Sequence, residues 1–283
     1  MAFGQSVRYA TEMSDSIVPA PHSLAKKPLA EAIFELRWAL RPGDFPGIQD
    51  DPGFRILVGR YYDKIRNDYG TTVDLPAARV PESMTPHAVR HQFRAGQNQW
   101  PLTQIGPGVV TFNETKAYTW EGFSTNVSKI VNALFTAYPT DIVPLIPIQI
   151  MLRYVNTVLY NPLEADKPLL QFLGDNLHTS LVMEPLLFDE PDQANSPSNI
   201  MLTLSYKLDT IQGSGSLLFV NGEQEGKPAI VWEINIMTKE GNTPKIPEDI
   251  NAWIVKAHAI AEKWFFTLCR GDLLGRFEGS DEK

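Results

Sequence analysis

Cysteine and long apolar runs are scarce in this chain of 283 residues. Its one cysteine, Cys269, cannot form an intrachain disulfide, which fits a reducing compartment. No stretch approaches the roughly 18 apolar residues that a membrane-spanning helix needs. Residues 1–27 carry Arg8, Glu12 and Asp15 where a secretion signal would need an apolar run. We therefore expect a cytoplasmic protein without a membrane span, in which residues 1–27 form a flexible N-terminal tail.

Positive charge is scarce as well. The chain has 25 Lys and Arg against 33 Asp and Glu, which gives a net charge of −8 and a pI near 5.2. Because a basic surface is the usual footprint of proteins that bind a phosphate backbone, this composition argues against general nucleic-acid binding. With 43% hydrophobic and 20% charged residues, the composition is that of an ordinary globular protein. We expect residues 28–277 to form a single globular unit.

Complete catalytic motifs are also missing. The segment "GSGSLL" at 213–218 lacks the Gly-x-Ser-x-Gly pattern of a nucleophile elbow and has the composition of a hairpin turn. The segment "IGPGVV" at 105–110 completes neither a dinucleotide-binding fingerprint nor a P-loop. Cys269 falls near the end of an apolar helix, where a thiol packs more often than it reacts. The sequence predicts no cofactor, and it leaves open both the catalytic residues and whether the protein is an enzyme.

Two pairs of residues have the spacing that brings side chains together on a helix. His87 and His91 are four residues apart, but the alternation of apolar and polar residues around His91 indicates a strand. We therefore predict no metal site. His258 and Glu262 are also four residues apart, on a predicted helix, and we expect them to form a solvated pair.

Hydrophobic periodicity predicts strands and helices along most of the chain. Alternation from Pro28 to Trp38 is typical of a half-buried strand. The fold class is α+β, with antiparallel sheet or sheets packed by about three main helices. Predicted helices cover 54–70, 118–138, 167–177 and 248–270. Predicted strands cover 28–38, 89–94, 101–114 (as one bent strand) and 146–160 (as a central strand). A predicted loop at 189–199 leads to a meander of three strands between 200 and 238.

The two halves of the chain share a pattern. The segments "FELRW" at 34–38 and "IMLRY" at 150–154 both contain Leu-Arg-aromatic, each inside the first strand of its half. The order of predicted elements also matches. These matches favour two related β-α-β-β-α halves, residues 28–140 and 145–277, with Arg37 and Arg153 in related places beside a pseudo-twofold axis.

Charged residues line one face of the first strand. Glu31, Glu35 and Arg37 alternate there with apolar residues. One interpretation is a solvated or helix-covered face, on which Glu35 and Arg37 make cross-strand pairs, each worth about 0.2–1 kcal/mol. The other is a groove between the halves, where Arg37 and Arg153 bind an anion. Glu31 and Glu35 would then act as acid and base, or hold a hard metal ion.

The same strand carries a resemblance to a known family. The strand has the motif Pro-Leu-x-Glu-x-x-Phe-Glu-Leu-Arg-aromatic. Two further segments are "LRYVN" at 152–156 and "AHAIAEKWFFTLCRGDL" at 257–273. With these three motifs, the chain resembles a family of sporadically distributed bacterial proteins of unknown function. The resemblance covers roughly residues 27–277. It implies a bacterial source but no activity, substrate or cofactor. The residues that carry the first motif are Pro28, Leu29, Glu31, Phe34, Glu35, Leu36, Arg37 and Trp38.

Two functional hypotheses follow from the sequence. The leading one is an intracellular bacterial binding or assembly protein that acts with a protein partner or as a homo-oligomer. The alternative is an enzyme, or a receptor for a small ligand or anion, that uses a cleft between the halves. Its ligand-binding residues would be Glu31, Glu35, Arg37 and Arg153.

Overall fold

The computed structural model describes residues 24–43, 46–115, 117–161, 167–182 and 197–279. These residues form an α+β structure, which confirms the predicted fold class. The predicted tail up to residue 23 and most of the predicted loop at 189–199 lie outside the described residues. The elements are β1 (Leu29–Trp38), β2 (Arg41–Pro42), β3 (Gln49–Asp50), α1 (Phe54–Ile65), β4 (Thr71–Asp74), β5 (His91–Arg94), β6 (Leu102–Gly106), β7 (Val109–Glu114), α2 (Trp120–Ala137), β8 (Pro147–Leu159), α3 (Leu169–Leu177), β9 (Met201–Leu208), β10 (Gly213–Gln224), β11 (Lys227–Thr238), α4 (Ile250–Cys269) and α5 (Asp272–Glu278).

Nine strands form one antiparallel sheet in the order β4-β5-β6-β7-β1-β8-β11-β10-β9. The first strands of the two halves, β1 and β8, pair with each other at its centre, with Phe34 opposite Leu152 and Leu36 opposite Ile150. The predicted central strand at 146–160 and the predicted meander of β9, β10 and β11 are therefore confirmed.

The strand order is symmetric about the central pair. Outward from the centre, β1-β7-β6-β5 on one side corresponds to β8-β11-β10-β9 on the other. When "FELRW" is aligned with "IMLRY", Glu35 corresponds to Met151, and these two residues face each other across the β1–β8 pair. Arg37 and Arg153 each lie two residues beyond that point. The internal duplication stays a prediction, and this correspondence supports it.

The hydrophobic core lies on one face of the sheet. Strand register places the buried side chains of β1, β8 and β11 on this face, including Phe34, Leu152 and Trp232. All five described helices contribute buried residues to the same core. The apolar stripe of α2 is fully buried and consists of Phe123, Val127, Ile130, Val131 and Leu134. In the corresponding stripe of α4, Trp253 and Ala257 are buried, whereas Ile260 and Trp264 are only partly buried. The described helices therefore leave the opposite face of the sheet without a helix layer.

Residues 101–114 form two strands, so the predicted single bent strand is wrong. Strands β6 and β7 pair as a tight hairpin in which Gly106 faces Val109. Pro107 and Gly108 make the two-residue turn, and Gly108 takes a φ of 75° that suits glycine. The sequence "GPG" fits either a bulge within one strand or a turn between two strands. It forms a turn here because the residues before and after it pair with each other. The short strand β4 and helix α5 were not predicted.

A buried carboxylate ties the end of β1 to its surroundings. Asp51 is 3% exposed, and its oxygens accept hydrogen bonds from four donors. Oδ2 accepts from Trp38 Nε1 at 2.9 Å and from Gly108 N at 3.2 Å. Oδ1 accepts from Tyr138 Oη at 2.7 Å and from Gly53 N at 3.1 Å. Because these donors come from β1, the β6–β7 turn, the start of α1 and the end of α2, one side chain connects four segments.

Replacing Asp51 with Ala should strongly destabilise the protein. The substitution leaves buried donors without an acceptor, and we expect the free energy of unfolding to fall by about 3 kcal/mol. Urea denaturation measures this loss. Asp68→Ala, at an exposed position after α1, is the control and should change stability little. Equal effects of the two substitutions would contradict the role of Asp51.

Candidate functional site

The charged residues predicted from the sequence all lie on the sheet face without helices. Glu31, Glu35 and Arg37 alternate with the buried residues of β1. Arg153 lies on the same face because it is opposite Ile33 in the β1–β8 pair. The structure thus brings all four predicted residues to one surface.

Each of these charged groups contacts a neighbour on the sheet. Arg37 Nε lies 2.6 Å from Glu35 Oε1 and donates a hydrogen bond to it. Asn113 Nδ2 on β7 donates to Glu31 Oε1 at 2.7 Å. Arg153 Nε lies 3.6 Å from a carboxylate oxygen of Glu233 on β11. Glu31 and Arg153 therefore have cross-strand neighbours, whereas Glu35 and Arg37 pair within β1.

The two arginines have different acidic neighbours. Arg153 faces residue 33, so the backbone of Arg37 lies four residues further along the strand pair, roughly 13 Å away at 3.3 Å per residue. Arg37 contacts Glu35, whereas Arg153 lies near Glu233. Ligand binding by these residues stays a prediction.

The C-terminal half of this open face is more apolar. Strand register places aliphatic side chains of β8, β10 and β11 beside one another there. They are partly exposed and lie outside the main core. We call this surface the aliphatic patch; its residues are Met151, Val155, Leu218, Val220 and Val231.

Strand β9 forms the sheet edge beside the aliphatic patch. Its eight residues pair with β10 on one side, and no other described strand pairs with it. Met201 is 81% exposed and Tyr206 is 46% exposed. Lys207, the one charged residue of β9, lies 2.7 Å from Asp209. The opposite edge strand, β4, has only four residues.

A cavity of about 380 Å³ lies on the helix side of the sheet, between α2 and α4. Its walls combine aromatic and aliphatic side chains, among them Trp120 at the start of α2 and Phe265 on α4. Residues just before β1 border it: Leu24 packs against the core, and Lys27 Nζ donates to the carbonyl oxygen of Tyr118 at 2.8 Å. Residues from both halves of the chain line the cavity.

Polar groups in this cavity form a chain of hydrogen bonds. Tyr118 Oη and Tyr154 Oη are 2.9 Å apart. Tyr154 Oη is also 2.9 Å from Nδ1 of His258. The His258 ring stacks on Trp120, with centroids 3.8 Å apart and planes 11° apart. We call Tyr118, Tyr154 and His258 the relay.

Burial keeps the relay uncharged at neutral pH. It raises the pKa of Tyr118 and of Tyr154 well above the usual phenol value. Burial also lowers the pKa of His258 to about 4, although the Glu121 carboxylate opposes that shift. Both phenols are therefore protonated and the imidazole is neutral, so each proton along the relay can be donated to a neighbour.

The relay corrects the expectation for His258 and Glu262. Both residues border the cavity and are partly buried, so they do not form a solvated pair. Periodicity missed the site because its polar groups come from the start of α2, the middle of β8 and the middle of α4. The closest signal in the sequence was "YTW" at 118–120, two aromatic residues at the start of a predicted helix.

The other candidate residues have structural contacts. His91 lies in β5 and its Nδ1 is 2.8 Å from Asp74 Oδ1, whereas His87 Nδ1 is 3.0 Å from the carbonyl oxygen of Gly108. The described residues contain no group of three or more His, Cys, Asp or Glu arranged to hold a metal ion. Cys269 is buried, and burial raises the pKa of its thiol to about 12.

Comparison with protein-family models, with curated proteins and with solved structures finds no match. Within the described ranges, no helix is long and apolar enough to cross a membrane. Inference about function therefore depends on the surfaces and the cavity described above.

Replacing His258 with Phe should flatten the pH dependence of stability. The folded protein holds the imidazole neutral, whereas the unfolded chain protonates it near pH 6.5. His258 thus contributes stability above pH 6.5 that is lost as the pH falls towards 4. We expect the native protein to lose about 2 kcal/mol through this group between pH 7 and pH 5. Urea denaturation of both proteins at these pH values measures the difference; identical pH dependence would contradict the buried neutral imidazole.

Proposed function

We propose that this protein binds a protein partner by strand addition at β9. The observation that carries the proposal is an edge strand of eight residues that pairs on one side only within the described residues. The outer edge of such a strand presents backbone N–H and C=O groups. An extended segment of another chain can satisfy these groups by continuing the sheet.

Strand β9 has only one of the features that usually protect a sheet edge, the lysine at position 207. Proteins block exposed edges with charged side chains such as lysine, with proline, with bulges, with very short strands or with charges that point inward. The segment "MLTLSYKL" at 201–208 has no proline, its pairing with β10 has no register shift, and its one charge, Lys207, points to the open face. At the other edge, β4 is short and ends in Asp74.

The open face beside β9 supplies a surface for the partner's side chains. Met201 and Thr203 of β9 continue the row of β10 residues that belong to the aliphatic patch. A partner strand with alternating apolar residues would bury those side chains against the patch. Backbone pairing would then give affinity, and the patch would select the sequence.

The proposal includes a bacterial cytoplasm and membership of the sporadically distributed family. The single buried cysteine supports a reducing compartment, and the strand from Pro28 to Trp38 supports the family. The alternative of an enzyme or anion receptor at Arg37 and Arg153 has less support. Arg37 already contacts the Glu35 carboxylate, and Arg153 lies near that of Glu233.

Substituting Leu204 with Lys should abolish partner binding. Leu204 lies on the helix side of β9 and is partly buried. In the free protein, a lysine there can extend its ammonium group into water beyond the edge. A partner strand would trap this charge, so we expect the partner to be lost while the protein stays folded. Native mass spectrometry of tagged protein purified from its source organism measures the stoichiometry.

The control for this experiment is Thr72→Lys. Thr72 is exposed, faces the helix side and lies on the opposite edge strand. This variant should keep the partner at the native stoichiometry. Strand addition at β9 would be contradicted if the Leu204→Lys variant kept its partner. It would also be contradicted if the native protein were always a monomer with no bound partner. A homodimer that only Leu204→Lys dissociates would identify the partner as a second copy.

A further inference from the structure

We propose that the cavity between α2 and α4 binds a small, flat, uncharged molecule that carries a hydrogen-bond acceptor, such as an aromatic amide. This site lies on the opposite side of the sheet from the aliphatic patch. It is therefore independent of the proposed partner binding.

One buried donor at the cavity has no partner. Asn156 on β8 lines the cavity, is only 2% exposed, and its Nδ2 has no hydrogen-bond partner among the described residues. A buried donor without an acceptor costs free energy, which a ligand acceptor at this position would offset.

The walls of the cavity define the body of the ligand. Trp120, Tyr118, Phe265 and Phe266 offer aromatic surfaces, and Leu29 closes the β1 end. Such walls favour a flat apolar molecule. A volume of about 380 Å³ lies at the lower end of the range for small-molecule sites, enough for one ring or two fused rings.

Charges around the cavity define the polar group of the ligand. Glu121 and Glu262 border it, so a carboxylate on the ligand would face like charges. The lysine that borders it, Lys27, already donates to a backbone carbonyl. An ammonium group would leave the Nδ2 donor of Asn156 unpaired, because it accepts no hydrogen bond. A neutral carbonyl satisfies these conditions together.

The relay can serve the same ligand. Its hydrogen bonds can run in either direction, because a phenol both donates and accepts and a neutral imidazole has one donor and one acceptor nitrogen. Tyr118 Oη at one end can therefore accept from or donate to a second polar atom of the ligand. This freedom would let the cavity accept related molecules that differ in the second group.

The test uses four compounds with one benzene ring: benzamide, benzoate, benzylamine and toluene. Ligand-observed NMR titration of the full chain measures the affinity for each. We expect benzamide to bind, and the other three to bind at least about tenfold more weakly, since they lack the neutral acceptor. Benzamide should also raise the Tm of the protein in a concentration-dependent way.

Asn156→Leu separates a binding role from a structural one. This substitution removes the unpaired amide at nearly constant volume, so the Tm of the ligand-free protein should rise by a few degrees. The affinity for benzamide should fall about tenfold through loss of the hydrogen bond. The matched control, Asn132→Leu at an exposed position on α2, should leave the affinity unchanged.

Four outcomes would overturn the proposal. The first is failure of benzamide to bind the native chain, and the second is equal binding of toluene. The third is an Asn156→Leu protein with undiminished affinity. The fourth is an Asn156→Leu protein with a lower Tm, which would show that the amide supports the fold.

Discussion

The pairing of β1 with β8 is the constraint on which the rest of the structure depends. It joins the first strand of each half, so it turns two short sheets into one sheet of nine strands. Both strands place their most buried side chains, among them Phe34 and Leu152, on the same face, and the core forms there. If the pair slipped by one residue, Phe34 and Leu152 would no longer share a face, because side chains alternate along a strand. The register of one pair therefore determines the position of the core.

One-sided packing of helices follows from that register and creates the functional surfaces. Because the helices cover one face, the charged row of β1 and the aliphatic patch remain on the other. The sheet also extends outward from its centre to a long edge at β9. On the face of the sheet that the helices cover, α2 and α4 belong to different halves of the chain, and both line the cavity beside β8. The proposed partner site and the proposed ligand site thus lie on opposite sides of the central pair.

Much of the fold could be predicted because the burial of one face makes apolar residues recur at regular intervals along a strand or helix. The alternation in β1 and the stripe of α2 both report which side chains meet the core, and β8 is apolar enough to show its central place. The sequence pattern says less about which strands pair with each other. The hairpin at Gly106 was therefore predicted as a bend, and the edge position of β9 was not predicted. Almost nothing in the sequence pattern indicates the cavity. Tyr118, Tyr154 and His258 are separated by 36 and 104 residues along the chain, and no spacing rule connects them.

Hydrogen exchange followed by mass spectrometry tests the central pairing most directly. If β1 and β8 are joined at the centre of one sheet, peptides from residues 29–38 and 147–159 should be the slowest to exchange and should open together, since the most buried strands exchange only on global unfolding. The result that would contradict this account is fast exchange in residues 147–159 while residues 29–38 stay protected. The two halves would then open independently, and neither the shared core nor the cavity between α2 and α4 would exist as described.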